Sequence, residues 1–253
     1  MSFDVAPAAY ASFMGRFSEP LALEFADAAG VEPGQRAIDV GCGPGALTDV
    51  LVERLGAGQV AAVDPSEPFV AYAASRLTGV DVRRATAEDL PYPDADFDIA
   101  LAQLVVHFMA DPVAGLREMG RVTKPGGVVA ACVWDHAGGS GPLATFWTAV
   151  RDTDGEAEDE SGLAGVRKGH LGELARAAGL ADIEESRLTV GVGYPSFEDW
   201  WTPYTLGVGP AGAYVGGLDE PRREALRDRC AELLPDAPFT VPASAWCLRA
   251  TVG

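Results

Sequence analysis

A short apolar run, Ala37-Ile38-Asp39-Val40, stops at Gly41-Cys42-Gly43-Pro44-Gly45, and Leu47-Thr48-Asp49-Val50-Leu51 then opens a helical pattern. Strand, glycine turn and helix in that order bring backbone N–H groups and a helix N-terminus up to a ligand. Glycine is needed because the chain bends sharply there and a Cβ would block the ligand's approach. Read as G-x-G-x-x-G/A with Ala46 in the last place, the turn suits nucleotide cofactors in general, nicotinamide and flavin included. It commits this stretch to a βα unit, and the rest of the chain must supply the sheet around it.

The units that follow have the right lengths. A helix over 47–55 leads to a strand over 59–63, which finishes at Asp64-Pro65-Ser66. Asp64 stands ~20 residues past the glycine turn, where an acidic residue takes the ribose hydroxyls as a bidentate acceptor. Capping the helix over 67–77 is the rival role, and Ser66 serves that equally well. Further strands are expected over 80–84, 98–104 and 128–133, with a helix over 116–122. Ligands in open α/β sheets bind beyond the carboxyl ends of the strands. That puts Gln103 and His107, after the fourth strand, and Trp134-Asp135-His136, after the fifth, on the working side.

Asp39 two residues before the first glycine, together with Pro44-Gly45, resembles the first motif of class I S-adenosylmethionine-dependent methyltransferases of the ubiquinone/menaquinone-biosynthesis-like type. The stretch 85–93 resembles that family's adenine-binding turn, and Lys124-Pro125-Gly126-Gly127 its turn into the fifth strand. The resemblance implies a doubly wound, Rossmann-like α/β fold: a seven-stranded, mostly parallel sheet with an antiparallel edge and a helical cap. It implies S-adenosylmethionine as cofactor, S-adenosylhomocysteine as product and no metal. The cofactor site would comprise Asp39, Gly41, Cys42, Gly43, Gly45, Asp64, Pro65, Thr86, Ala87, Glu88 and Gln103. Thr86 departs from the family's aspartate, which leaves backbone contacts at Ala87, with Glu88 beside it, to read the adenine edge. In that family an N-terminal segment closes over the cofactor, and Tyr10, Met14, Gly15 and Arg16 stand at the matching place.

Beyond residue 135 the pattern changes. Helices are expected over 142–150, 170–178 and 222–234, and strands over 183–192 and 245–252. The gap of about 50 residues between those strands far exceeds a hairpin and implies a cap over roughly 193–240. The whole reads as a single domain, 1–253, with an N-terminal lid (1–30), a cofactor-binding core (31–135) and an acceptor-binding C-terminal part (136–253). All five tryptophans fall after residue 130. Trp134, Trp147, Trp200 and Trp201, with Tyr204, are candidates for an apolar or aromatic acceptor pocket, with cap core as the competing role.

Charge narrows the partners. With 37 Asp+Glu against 19 Lys+Arg, the chain carries a formal −18, which argues against nucleic acid and anionic membranes. Much of the excess lies in 152–160, DTDGEAEDE, read as a solvated acidic loop. No apolar run is long enough to span a bilayer and the N-terminus carries no secretion-type signal. Four widely spaced cysteines, with no C-x-x-C, read as reduced packed thiols of a cytoplasmic protein.

The chemistry expected is direct displacement at a methyl carbon onto a small-molecule acceptor. A base is needed only if the nucleophile arrives protonated. Of three histidines, His107 and His136 are the candidates and His170 reads as a helix-start surface residue. No Ser-His-Asp order, metal cluster or carboxylate pair suggests hydrolysis. A nicotinamide-dependent reductase and a cofactor-holding protein without transfer are the alternatives.

Overall fold

The computed structural model describes residues 11–155 and 159–253. After a five-residue π-helical turn, Ala11–Gly15, the chain runs through α1 (Arg16–Ala29), β1 (Ala37–Val40), α2 (Ala46–Leu55), β2 (Val60–Asp64), α3 (Glu67–Arg76) and β3 (Asp81–Arg84). It continues through β4 (Phe97–Gln103), α4 (Pro112–Val122), β5 (Thr123–Trp134), α5 (Ala144–Thr153), α6 (His170–Ala178) and β6 (Ala181–Tyr194). Three helices, α7 (Phe197–Trp201), α8 (Gly209–Gly217) and α9 (Glu220–Leu233), precede β7 (Phe239–Thr251).

The strands form one seven-stranded sheet in the order β3-β2-β1-β4-β5-β7-β6. β1 to β5 pair in parallel, and β7 runs antiparallel to both of its neighbours. The order reverses between β1 and β4, so the crevice of the switch point opens beyond their carboxyl ends. This is the doubly wound arrangement that the sequence implied, with the antiparallel strand one place in from the edge.

The central strands are apolar on both faces because helices cover both. Ala37, Ile99, Leu101, Ala130 and Cys132 feed the core under α1 and α2, while Ile38, Ala100, Ala102, Val129 and Ala131 feed the core under α4 and α6. Alternation by two along each strand thus supplies two cores from one continuous apolar run. α1 buries Phe17, Leu21, Phe25 and Ala29 at helical spacing and ends at Gly30, in the left-handed region. None of the described helices is long and apolar enough to cross a membrane.

Between β6 and β7 the helices pack around an aromatic cluster. Tyr204 lies 4.8 Å from Phe13, 4.6 Å from Phe146 in a stacked pair, and 4.8 Å from Trp200 (ring centroids). Trp201 stacks on Phe197 and lies 6.0 Å from Tyr204. These rings belong to the same core as α1 and the sheet. The cluster therefore joins the N-terminal segment, α5 and the cap into one packed unit.

Trp200 is 2% exposed, so Trp200→Ala removes a fully packed indole and should lower stability by about 3–5 kcal/mol. Urea unfolding monitored by circular dichroism checks this: the midpoint falls while the slope stays unchanged.

Candidate functional site

The glycine turn is held from beneath by β2. The N–H groups of Gly41 and Cys42 both donate to the Val63 carbonyl, at 2.8 and 2.9 Å. Gly41 has φ 76°, and a Cβ there would lie 2.4 Å from Val105 Cγ2. Gly43, at φ 53°, faces open space, so its backbone stays free for close approach by a ligand. Asp64 closes the structure: Oδ2 accepts from the Gly43 N–H at 2.9 Å and Oδ1 from the Ser66 N–H at 2.8 Å. Burial raises the Asp64 pKa, and these two bonds oppose the rise. The Ser66 N–H, at the N-cap of α3, is thus taken by the Asp64 carboxylate.

Asp39 is buried under the turn, where its Oδ2 accepts from Thr48 Oγ1 at 2.6 Å. Burial, with smaller contributions from the Asp64 and Asp49 charges, pushes its pKa up to about 7 against the Thr48 hydrogen bond. Gln103, at the end of β4, donates through Nε2 to the Ser18 carbonyl of α1 at 2.9 Å. The opposite atoms of these two side chains, Asp39 Oδ1 and Gln103 Oε1, are buried with no donor among the described residues. Both residues line one cleft together with Ser18, Gly41, Gly43 and Leu104. A cleft with two unpaired acceptors beside a glycine turn is built for a ligand that brings donors.

The turn after β3 is tied down by local bonds. One oxygen of Glu88, Oε1, accepts from the N–H groups of Ala110 and Asp111, at 2.9 and 3.2 Å. Thr86 bridges to Asp89 and is exposed, whereas Ala87 is buried. The Pro65 carbonyl receives Arg84 Nε at 3.1 Å.

Next to the cleft, and sharing Leu104 with it, lies a largely apolar cavity with about 500 Å³ of empty space, part of it open to solvent. Phe13, Met14, Trp134, His107 and His136 line it. The two imidazoles lie 6.1 Å apart (ring centroids). Burial, reinforced by His136, lowers the His107 pKa to about 3. Burial likewise lowers that of His136 to about 4, against the Asp159 and Asp135 charges. Both rings are therefore neutral at physiological pH. His107 Nδ1 and Trp134 Nε1 are buried without partners among the described residues.

Four expected site residues lie elsewhere. Trp200, Trp201 and Tyr204 sit in the aromatic cluster and do not line the cavity; each ring is covered by other rings. Arg16 turns away from the cleft, pairing with Asp199 at 2.9 Å, donating to the Gly193 carbonyl and lying over Tyr194. Trp147 borders a side opening next to the cavity and donates through Nε1 to Glu160 Oε2 at 3.1 Å. Tyr10 lies outside the described residues. Cys42, in the turn, and the other three cysteines are free and buried.

Two residues of the site have no signature in the sequence. Leu104 takes φ 62°, a left-handed backbone that costs a non-glycine residue about 1–3 kcal/mol and clusters at ligand sites. It stands between cleft and cavity. Glu160, in the run read as a solvated loop, is 6% exposed and lines the cavity. An apolar residue after a strand and a glutamate among acids are both unremarkable in one dimension.

Residues 38–131 match the family described as a methyltransferase domain. An uncharacterized methyltransferase of Schizosaccharomyces pombe is 36% identical over 110 residues, 39% of this chain and 40% of that protein. The ubiquinone/menaquinone biosynthesis C-methyltransferase UbiE of Cupriavidus taiwanensis is 31% identical over 182 residues, 65% of this chain and 74% of that protein. The chain spans less than half the length of several other curated relatives. Among solved structures, the YcgJ protein of Bacillus subtilis superposes with TM-score 0.58 at 18% identity, over 93% of this chain and 97% of that one. The [4+2]-cyclase SpnF does so with TM-score 0.56 at 24% identity, over 93% and 81%; both likenesses are of fold. With a methyltransferase-domain match from β1 into β5 and a likeness to UbiE over most of that protein, the chain belongs to the class I S-adenosylmethionine-dependent methyltransferase family.

Proposed function

We propose that this chain transfers a methyl group from S-adenosylmethionine to a small, largely apolar organic molecule seated in the cavity beside Leu104. The observation that carries the reading is the pair of orphaned acceptors, Asp39 Oδ1 and Gln103 Oε1, in the cleft under the glycine turn. The α-ammonium of the cofactor's methionine part has the donors that both atoms lack. The Asp64 carboxylate has about four lone-pair sites, so it can accept ribose hydroxyls while keeping Gly43 and Ser66. Ala87, buried in the turn after β3, offers backbone to the adenine, with Glu88 beside it held through Oε1.

The cofactor supplies a methyl group already activated on a sulfonium. What remains for the protein is to align the acceptor and keep water out. Leu104 borders both spaces, so an acceptor in the cavity meets the cleft there. His107 and His136, with pKa values of about 3 and 4, are too weak as bases to take a proton efficiently near neutral pH. As neutral rings they accept or donate a hydrogen bond and hold the acceptor's orientation. Their role is thus alignment rather than base catalysis. The four buried free thiols suit a reducing compartment and extend the reading to a cytoplasmic enzyme.

The test is calorimetric binding of S-adenosylhomocysteine and NADH, followed by cofactor-dependent mass gain on small phenols, amines and prenyl-type molecules. Binding of S-adenosylhomocysteine but not NADH is expected, with a gain of one methyl on at least one acceptor. Preference for NADH overturns the reading. Cofactor binding without any transfer favours the cofactor-holding alternative. Asp64→Ala should weaken S-adenosylhomocysteine binding by about 3 kcal/mol or more, because each lost charge-assisted bond contributes ~1.5–3 kcal/mol. Unchanged affinity would remove Asp64 from the ribose site.

Asp39 generates a pH dependence in both stability and binding. Its folded-state pKa of about 7 lies above the ordinary 3.8, so the ionised form burdens the empty fold increasingly as pH rises from about 4 through 7. A bound ammonium favours that same ionised form. Affinity for S-adenosylhomocysteine should therefore be full above pH 7 and weaken below it, approaching tenfold per pH unit. Asp39→Asn should raise the ligand-free Tm at pH 8, weaken binding at that pH and flatten the pH profile. Calorimetry from pH 5.5 to 8 and thermal melts read all three.

A further inference from the structure

We propose that Glu160 is the specificity-determining residue of the cavity and selects acceptors that carry a basic nitrogen, holding a protonated amine on a small apolar skeleton. The inference rests on the methyltransferase reading above and names the acceptor class of that site.

Its starting point is a carboxylate in an unexpected place. Glu160 ends an acidic run, yet it is 6% exposed and faces a cavity walled mainly by aromatic and aliphatic side chains. A short 3₁₀ turn, Glu160–Gly162, capped by the Asp159 side chain on the Ser161 N–H, points it inward. Among the described residues its one side-chain hydrogen-bond partner is Trp147 Nε1. Burial raises its pKa, which the Trp147 bond opposes.

No cationic side chain lines the cavity among the described residues. The two imidazoles there are uncharged at neutral pH. Arg151, which borders the side opening next to Glu160, is already paired with Asp159 at 2.8 Å. A buried carboxylate without a cation is costly, and a well-placed cation offsets that cost. The ligand is the group left to supply it. His107 Nδ1, unpartnered and lining the same cavity, offers a second acceptor to an ammonium, which has three donors. A formal charge of −18 also draws cations toward the molecule at long range. A neutral alcohol or hydrocarbon would leave the charge uncompensated.

The experiment compares phenethylamine with its neutral isostere 2-phenylethanol by calorimetry at pH 7.5 in saturating S-adenosylhomocysteine, on the wild-type chain, Glu160→Gln and Trp147→Phe. The amine should bind the wild type at least tenfold more tightly than the alcohol. Glu160→Gln should bring the amine down to the alcohol's affinity and leave the alcohol unchanged. Trp147→Phe, which keeps the carboxylate but removes the bond that orients it, should lower amine affinity by a smaller factor. Equal affinities in the wild type, failure of both probes to bind, or an amine preference that survives Glu160→Gln would each overturn the proposal. The wild-type comparison needs no variant to fold, and S-adenosylhomocysteine affinity reports the fold of each variant. Loss of S-adenosylhomocysteine binding in the wild type would instead overturn the methyltransferase reading itself.

Discussion

The Asp64 carboxylate is the tie on which the site depends. One oxygen holds the Gly43 N–H in the turn after β1, and the other holds the Ser66 N–H at the start of α3. Two parallel strands and the helices that follow them are thereby joined at their carboxyl ends, beside the crevice of the switch point. The bonds are charge-assisted and mostly buried, and so stronger than neutral ones. They also leave the Gly43 face open, which a side-chain cap from above would not. Under the proposed function the carboxylate that shapes the turn would also receive the ribose, so folding and binding would draw on one group.

Around that tie the molecule separates two environments. The cleft under the turn is polar, with a protonatable Asp39 and an unsatisfied Gln103 oxygen. The cavity beyond Leu104 is apolar, with neutral imidazoles and one buried carboxylate. Leu104 divides them on a strained backbone, the kind of local cost that a packed surrounding sustains. Gln103, immediately before it, bonds to the Ser18 carbonyl and so fixes α1 over the same boundary. Sheet, helix and cap all meet at this boundary.

The cap takes Trp200 and Trp201 into its own centre, while Trp134 lines the cavity and Trp147 borders it. Aromatic residues in a C-terminal third suggest a pocket, since aromatic side chains serve pockets and cores alike. Here Trp200 and Trp201 pack against Tyr204, which stacks on Phe146, and Trp201 stacks on Phe197, because the three helices between two long strands need an apolar centre of their own. Arg16 has a similar history. It stands in the place of a cofactor contact, but Asp199 and the Tyr194 ring come close enough to claim it.

What the sequence determined by itself is whatever depends on neighbours in the chain. The strand–turn–helix at 37–55, the first four parallel strands to within a residue, Asp64 at the end of β2 and the long insertion before β7 are all of this kind; β5 begins at Thr123, five residues earlier than expected, because the Lys124–Gly127 stretch read as a turn is part of the strand. Backbone periodicity and glycine conformations are local, so they can be read in one dimension. Only the tertiary structure decided which side chains are alone. Asp39 is pushed to a pKa of about 7, the two histidines are driven neutral and Glu160 is turned from a solvated acid into a lining of the cavity. Each of these follows from burial by segments distant in the chain, and burial is a property of three-dimensional packing that residue order does not display.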